Sequence, residues 1–289
     1  MSVSLFFLSF FIKPRIILTT PPIRHVITRF SFCAAVALAD VTSANIVGYN
    51  TVDINPGYNM FAVNFKQMGE GASIKIDDLF PGGGKADTKF TYGANTASAD
   101  KIMVWDNASG EYATYFLYKK KPGNNAEKDY RWCDDSGNLA TSVTFKNGDA
   151  FWFYKRGAQG VAVTTSGEVE LSSVKAVQIK AGYNMIGSLF PTGWTLNDDY
   201  YTNTYWQNSG AIFGANTANA DKIMVWDNAS NEYATYFLYK KKPGNNAEKD
   251  YRWCDDSGNL AVGNVLTPGK GAWYYHRGSG FNLEIKKQF

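Results

Sequence analysis

The sequence predicts an all-β protein of two tandem homologous domains, each a β-sandwich or small barrel, on three observations. Residues 93–140 recur at 214–261 with only two differences in forty-eight positions, Ser98 against Asn219 and Gly110 against Asn231. Short apolar and aromatic runs alternate with turns rich in Gly and Asn, the pattern of half-buried strands. No long stretch carries helical spacing.

Anchors outside the block set the repeat register. Gly57-Tyr58-Asn59-Met60 returns as Gly182-Tyr183-Asn184-Met185, and Gly148, Trp152, Tyr154, Arg156 and Gly157 return as Gly269, Trp273, Tyr275, Arg277 and Gly278. A period of about 120 residues is a whole domain, since solenoid units run between roughly 20 and 50. The expected organisation is residues 1–39 as a presequence, 40–170 as the first β-domain and 171–289 as the second. Likeness drops abruptly beyond the block, so either gene conversion or a need for two identical surfaces has kept it uniform.

In chain order, strands are expected at 46–54 and 58–65, then one helical turn at Ile76 to Phe80 before Pro81. Ile102-Met103-Val104-Trp105, the turn Asp106 to Gly110 and the aromatic run Glu111 to Tyr118 read as a hairpin. Further strands are expected at 130–133, 150–155 and 161–165, with equivalents in the second unit. Turns every eight to twelve residues between strands of this length point to a sandwich or small barrel.

The first 39 residues carry Lys13, Arg15, Arg24 and Arg29 with no acidic residue. Their second apolar stretch, 30–39, ends Ala37-Leu38-Ala39 before Asp40, a secretory cleavage pattern; the part upstream reads as an extension from an early start codon. Neither apolar stretch approaches the ~20 residues of a membrane-spanning helix. The net charge of +3 then belongs to the presequence, because the remainder holds 25 basic and 26 acidic residues. Nucleic acid is therefore not an expected partner. Lys119 to Lys121 and Lys240 to Lys242, each followed by Pro-Gly-Asn-Asn, read as solvated hairpin ends.

An Asn-Ile-Val-Gly-Tyr opening, a Gly-Tyr-Asn-Met strand, a Trp-containing hairpin, a Gly-x-Ala-Phe-Trp-Phe strand and a closing Gly-Glu-Val resemble the uncharacterised secreted β-rich repeat domains abundant in verrucomicrobial and lentisphaeral bacteria. The resemblance covers most of the chain after residue 39, although the second unit lacks the Gly-Tyr and the Gly-Glu-Val. It implies secretion and a β-rich fold, and brings no catalytic residues.

Composition argues against catalysis. After residue 39 the only His is His276, read as an exposed strand residue, and its repeat equivalent is Lys155. General acid/base work at neutral pH most often uses His. Asp134-Asp135 and Asp255-Asp256 precede Ser-Gly-Asn and read as turns. Asn107-Ala108-Ser109 and Asn228-Ala229-Ser230 read as turns too. No metal site, cofactor or phosphate loop is expected. Cys133 and Cys254 occupy equivalent positions: an intrachain disulfide is one expectation, two buried thiols in separate cores the other. Tyr115, Tyr118, Trp132, Tyr236, Tyr239 and Trp253 are the candidate contacts to a ligand or partner. The leading expectation is a secreted, non-catalytic structural or interaction protein, at the cell surface or outside, whose partners include further copies of itself. The alternative is a bivalent carbohydrate-binding protein that uses the repeated aromatics to hold a surface polysaccharide.

Overall fold

A computed structural model describes residues 46–69, 73–80, 83–120, 125–241 and 246–288. The presequence and its expected cleavage before Asp40 lie outside them. The fold is all-β, and the described residues belong to one compact unit. No helix among them is long and apolar enough to cross a membrane.

The first repeat runs β1 (Val47–Ile54), β2 (Gly57–Ala62), β3 (Ser73–Lys75), α1 (Ile76–Leu79), β4 (Lys101–Asp106), β5 (Glu111–Tyr118), β6 (Arg131–Asp134), β7 (Thr144–Lys146), β8 (Ala150–Lys155) and β9 (Val161–Glu168). The second runs β10 (Val174–Gly187), β11 (Trp194–Thr195), α2 (Asn203–Ser209), β12 (Lys222–Asp227), β13 (Glu232–Tyr239), β14 (Arg252–Asp255), β15 (Asn264–Leu266) and β16 (Gly271–Lys286). Each repeat is built on a five-stranded antiparallel sheet, ordered β2-β8-β4-β5-β6 in the first and β10-β16-β12-β13-β14 in the second. Smaller two-stranded pairings, β1-β9, β3-β7 and β11-β15, complete the layers.

Pro56 marks one difference between the repeats. Pro56 has no N–H to donate, and in the first repeat the chain breaks there into β1 and β2. Ala181 stands at that position in the second, so the strand runs through as β10 and absorbs the irregularity as a bulge between Lys180 and Gly182.

The expected helical turn is present as α1, whereas α2 was not expected. Thr202 caps it by accepting a hydrogen bond from the Tyr205 backbone N–H, and Gly210 ends it in the left-handed region. The α2 face buries Trp206 against Trp253 at 5.5 Å in the second core.

Alternation along each strand gives every sheet two apolar faces. In the first repeat Ile102, Leu117, Phe151 and Phe153 point into a private core with Ile54, Phe80 and Trp132. The second has its own core around Ile223, Leu238, Tyr274, Trp206 and Trp253. The opposite faces supply Met60 and Trp152 from one repeat and Met224 and Trp273 from the other to a single cluster that joins the two sheets.

Lys66 and Lys175 both reach the buried Glu170 carboxylate in the segment joining the repeats, at 2.9 and 2.5 Å. Burial alone would raise this carboxyl, but the Lys175 and Lys66 bonds and those from Ser172 outweigh it and hold the group well below the usual range. A folded pKa depressed in this way stabilises the fold above the unfolded value, and that contribution is lost as pH falls through and below about 4.5. Glu170→Gln is therefore expected to flatten the loss of stability below about pH 4.5, measured by denaturant unfolding at stepped pH. An unchanged acid limb would show that Glu170 does not set it.

Candidate functional site

The seam between the repeats is assembled from the repeated hairpin and the Gly-Tyr-Asn-Met strand, each used twice. Trp105 donates its indole N–H to the Tyr183 carbonyl at 3.0 Å, and Asn107 Nδ2 donates to the same carbonyl at 2.6 Å and to Asn184 Oδ1 at 2.9 Å. Reciprocally, Trp226 donates to the Tyr58 carbonyl at 2.9 Å, and Asn228 donates to that carbonyl and to Asn59 Oδ1. Each hairpin grips the motif strand of the other repeat, an isologous arrangement about a pseudo-two-fold axis. Asn107 and Asn228 are thus seam residues as well as turn residues. Where the backbones approach, Gly187 leaves room that a Cβ would fill at 2.3 Å from the Ala62 methyl.

The two differences inside the repeated block both fall in turns. Gly110 and Asn231 sit at the hairpin tips with φ of 70° and 55°, a region Gly enters freely and Asn tolerates. Ser98 and Asn219 lie in an equivalent turn, each with its N–H bonded to a carbonyl three residues back.

The seam also gathers the exposed aromatics. Tyr58, Tyr112, Tyr183 and Tyr233 are 44, 42, 43 and 39% exposed. They surround half-buried Trp105 and Trp226 and buried Trp152 and Trp273. Neighbouring rings meet edge to face: Trp105 and Trp273 at 5.5 Å and 89°, Trp152 and Trp226 at 5.5 Å and 83°, Tyr183 and Trp273 at 5.6 Å and 75°. A hollow of about 300 Å³ opens among Trp105, Tyr112, Tyr183, Met224, Tyr233 and Trp273. It draws on both repeats.

The six aromatics expected from the sequence do not form this surface. Trp132 and Trp253 are 1 and 0% exposed, one in each private core, and present no ring face to a ligand. They sit at the inward positions of β6 and β14, and the repeat only duplicated a core residue. Tyr118 is buried with Phe116 and Cys133, and Tyr239 packs half-buried beside Phe237 and Cys254. Tyr115 and Tyr236 lie half-buried against the two cores. Tyr115 also lines a cleft of about 590 Å³ with Trp105, Asp106, Asn107 and Met185. Burial raises the hydroxyls of Tyr115 and Tyr236, with nearby Asp134-Asp135 and Asp255-Asp256 adding to it.

Cys133 and Cys254 are free and buried, so of the two expectations it is buried thiols that the structure shows, with no intrachain disulfide. Each belongs to its own small cluster, one with Ala99 and Phe116, the other with Ala220 and Phe237. The repeats share the Met and Trp cluster, to which neither cysteine belongs. Burial pushes both thiols up to about 11. Native protein at pH 8 is expected to resist iodoacetamide and to take up two labels after the residues from 40 onward unfold, by mass spectrometry. Rapid labelling of folded protein would contradict this burial.

Several buried ionisable groups are held by internal partners. Asp100 accepts from the Thr91 and Arg156 backbone N–H groups at 2.9 and 2.5 Å and pairs with Lys155 at 3.2 Å. The equivalent Asp221 accepts from Ile212 and Arg277 N–H and from the Tyr274 hydroxyl, and lies 2.7 Å from His276 Nδ1. His276 is 2% exposed, which corrects its reading as an exposed strand residue. Inward placement on β16, at the Lys155 position, explains it. Asp134 and Asp255 close their turns by accepting from Asn138 and Asn259, as expected. Among the described residues, no group of His, Cys, Asp and Glu could hold a metal ion.

No protein-family model matches the chain, and no curated protein or solved structure is significantly similar to it.

Proposed function

We propose that this chain is an exported, non-catalytic protein that works as a structural or interaction component of the cell surface or extracellular space, with the aromatic seam as its contact surface. The observation that carries this reading is the contrast between two sets of side chains. Asp100 and Asp221 are buried and committed to internal hydrogen bonds, and His276 is buried with its Nδ1 on Asp221, whereas four tyrosines stand over a third exposed around one seam. Clustered exposed rings on a protein surface mark contact sites, because water is readily displaced from them. The Ala37-Leu38-Ala39 pattern and the resemblance to secreted β-domains support export.

The test is fractionation of cells producing the chain, with N-terminal sequencing of the recovered protein. The reading expects material beginning at Asp40 on the surface or in the medium, and release from the surface when Tyr112 and Tyr233 are both changed to Ala. Cytosolic protein retaining residues 1–39 would overturn export, and a surface-bound double variant would move the contact elsewhere.

The carbohydrate-binding alternative now rests on the seam rings in place of Trp132 and Trp253. Their edge-to-face packing offers no flat platform for a run of sugar rings.

A further inference from the structure

We infer that the seam hollow is an aromatic cage for a small organic cation of the quaternary ammonium class. Its walls, Trp105, Tyr112, Tyr183, Tyr233 and Trp273 with Met224 at the base, include no charged side chain. The ring planes stand across one another, with Trp105 and Trp273 at 89°, Tyr183 and Trp273 at 75°, and Trp105 and Tyr112 at 66°. These crossed rings line the hollow together, and a cation against an exposed ring face is attracted by its quadrupole.

Hydrogen-bonding capacity separates this ligand from a sugar. The Trp105 N–H is already given to the Tyr183 carbonyl, so that indole offers a sugar hydroxyl no donor. A sugar entering the hollow would bring hydroxyls that need new partners, and leaving them unpaired is costly. A tetraalkylammonium group has no N–H and needs none. It requires apolar contact and electron-rich ring faces, which this hollow supplies.

Rings on the same faces already hold cations of the chain itself. Lys222 Nζ and Arg277 Cζ lie 5.5 and 5.1 Å from the Tyr275 ring, and Tyr275 packs 4.7 Å from Tyr183. In the first repeat Lys101 and Arg156 lie 5.5 and 5.0 Å from the Tyr154 ring. The hollow offers the same chemistry with no lysine or arginine among its walls. Tyr58, Trp152, Trp226 and Tyr233 repeat the crossed-ring pattern on the other side of the pseudo-axis, at 79°, 83° and 69° between successive rings.

The experiment is a tryptophan-fluorescence titration of the full chain with choline chloride, with its uncharged isostere 3,3-dimethyl-1-butanol and with cellohexaose, at constant ionic strength. Choline is expected to saturate and to bind about tenfold more tightly than the isostere, a factor between those of an exposed and a desolvated cation–π contact. Tyr233→Leu, which keeps apolar bulk at a ring shared by both sets, is expected to abolish that preference. Tyr49→Leu, at an exposed ring outside the hollow, is expected to leave it intact. Circular dichroism establishes that each variant is folded. Equal binding of choline and the isostere, saturation by cellohexaose with choline inert, absence of choline saturation, or an unchanged preference in folded Tyr233→Leu would each overturn the cage. None of these outcomes bears on export or surface retention, so the two proposals fail separately.

Discussion

Lys155→Ala is expected to destabilise the protein by about 3–5 kcal/mol, the usual cost of removing one partner from a buried ion pair. Lys155 and Asp100 are 4 and 0% exposed, and the ammonium group lies 3.2 Å from the carboxylate while donating to the Arg156 carbonyl at 2.7 Å. Without it Asp100 keeps its two backbone N–H donors but stays buried with an uncompensated charge. Burial already raises this carboxyl despite those donors and the lysine, so its ionised form depends on them. His276→Ala is expected to cost less, about 1–3 kcal/mol, because Asp221 retains the Tyr274 hydroxyl as well as two N–H groups. Urea unfolding of both variants checks the order, and a smaller loss from Lys155→Ala than from His276→Ala would refute this account of the two sites.

Trp152→Ala and Trp273→Ala are each expected to lose about 3–5 kcal/mol, as large aromatics removed from packed interiors do. They are nearly buried, at 7 and 6%, in a cluster shared between the repeats. Each meets the hairpin tryptophan of the opposite repeat at 5.5 Å. Their losses are expected to be non-additive, since both substitutions open one seam. A double-mutant cycle in urea measures this. Strict additivity, or single losses below about 1 kcal/mol, would mean that the sheets are held together elsewhere. On the same grounds, halves cut near residue 170 would each expose Met and Trp side chains that the intact chain covers.

Local order was legible in the sequence wherever neighbours along the chain decide it. The hairpin 101–118 follows from alternation around a Gly-containing turn, and Asp134 closes the turn its Asp-Ser-Gly-Asn sequence suggests. Helix α2 was missed although Thr202 and Gly210 bracket it, because its interior, Asn-Thr-Tyr-Trp-Gln-Asn-Ser, carries too few apolar residues to show helical spacing. The aromatic site was misread for a different reason. Alternation assigns Tyr112 and Tyr115 to opposite faces of β5 but does not say which face meets a core. Both faces of these sheets are apolar.

The sequence by itself determined the all-β class, the duplication and the register of the two copies, since strand pattern and repetition are properties of the chain order. Only the tertiary structure decided which of the repeated aromatics are covered. Trp132 and Trp253 went inward because β6 and β14 face the private cores, whereas Tyr112 and Tyr233 line the seam hollow and stay over a third exposed there. It also gave Asn107 and Asn228 their partners, 76 and 170 residues away along the chain. Contacts of that kind depend on how two sheets pack, which no local pattern of residues encodes.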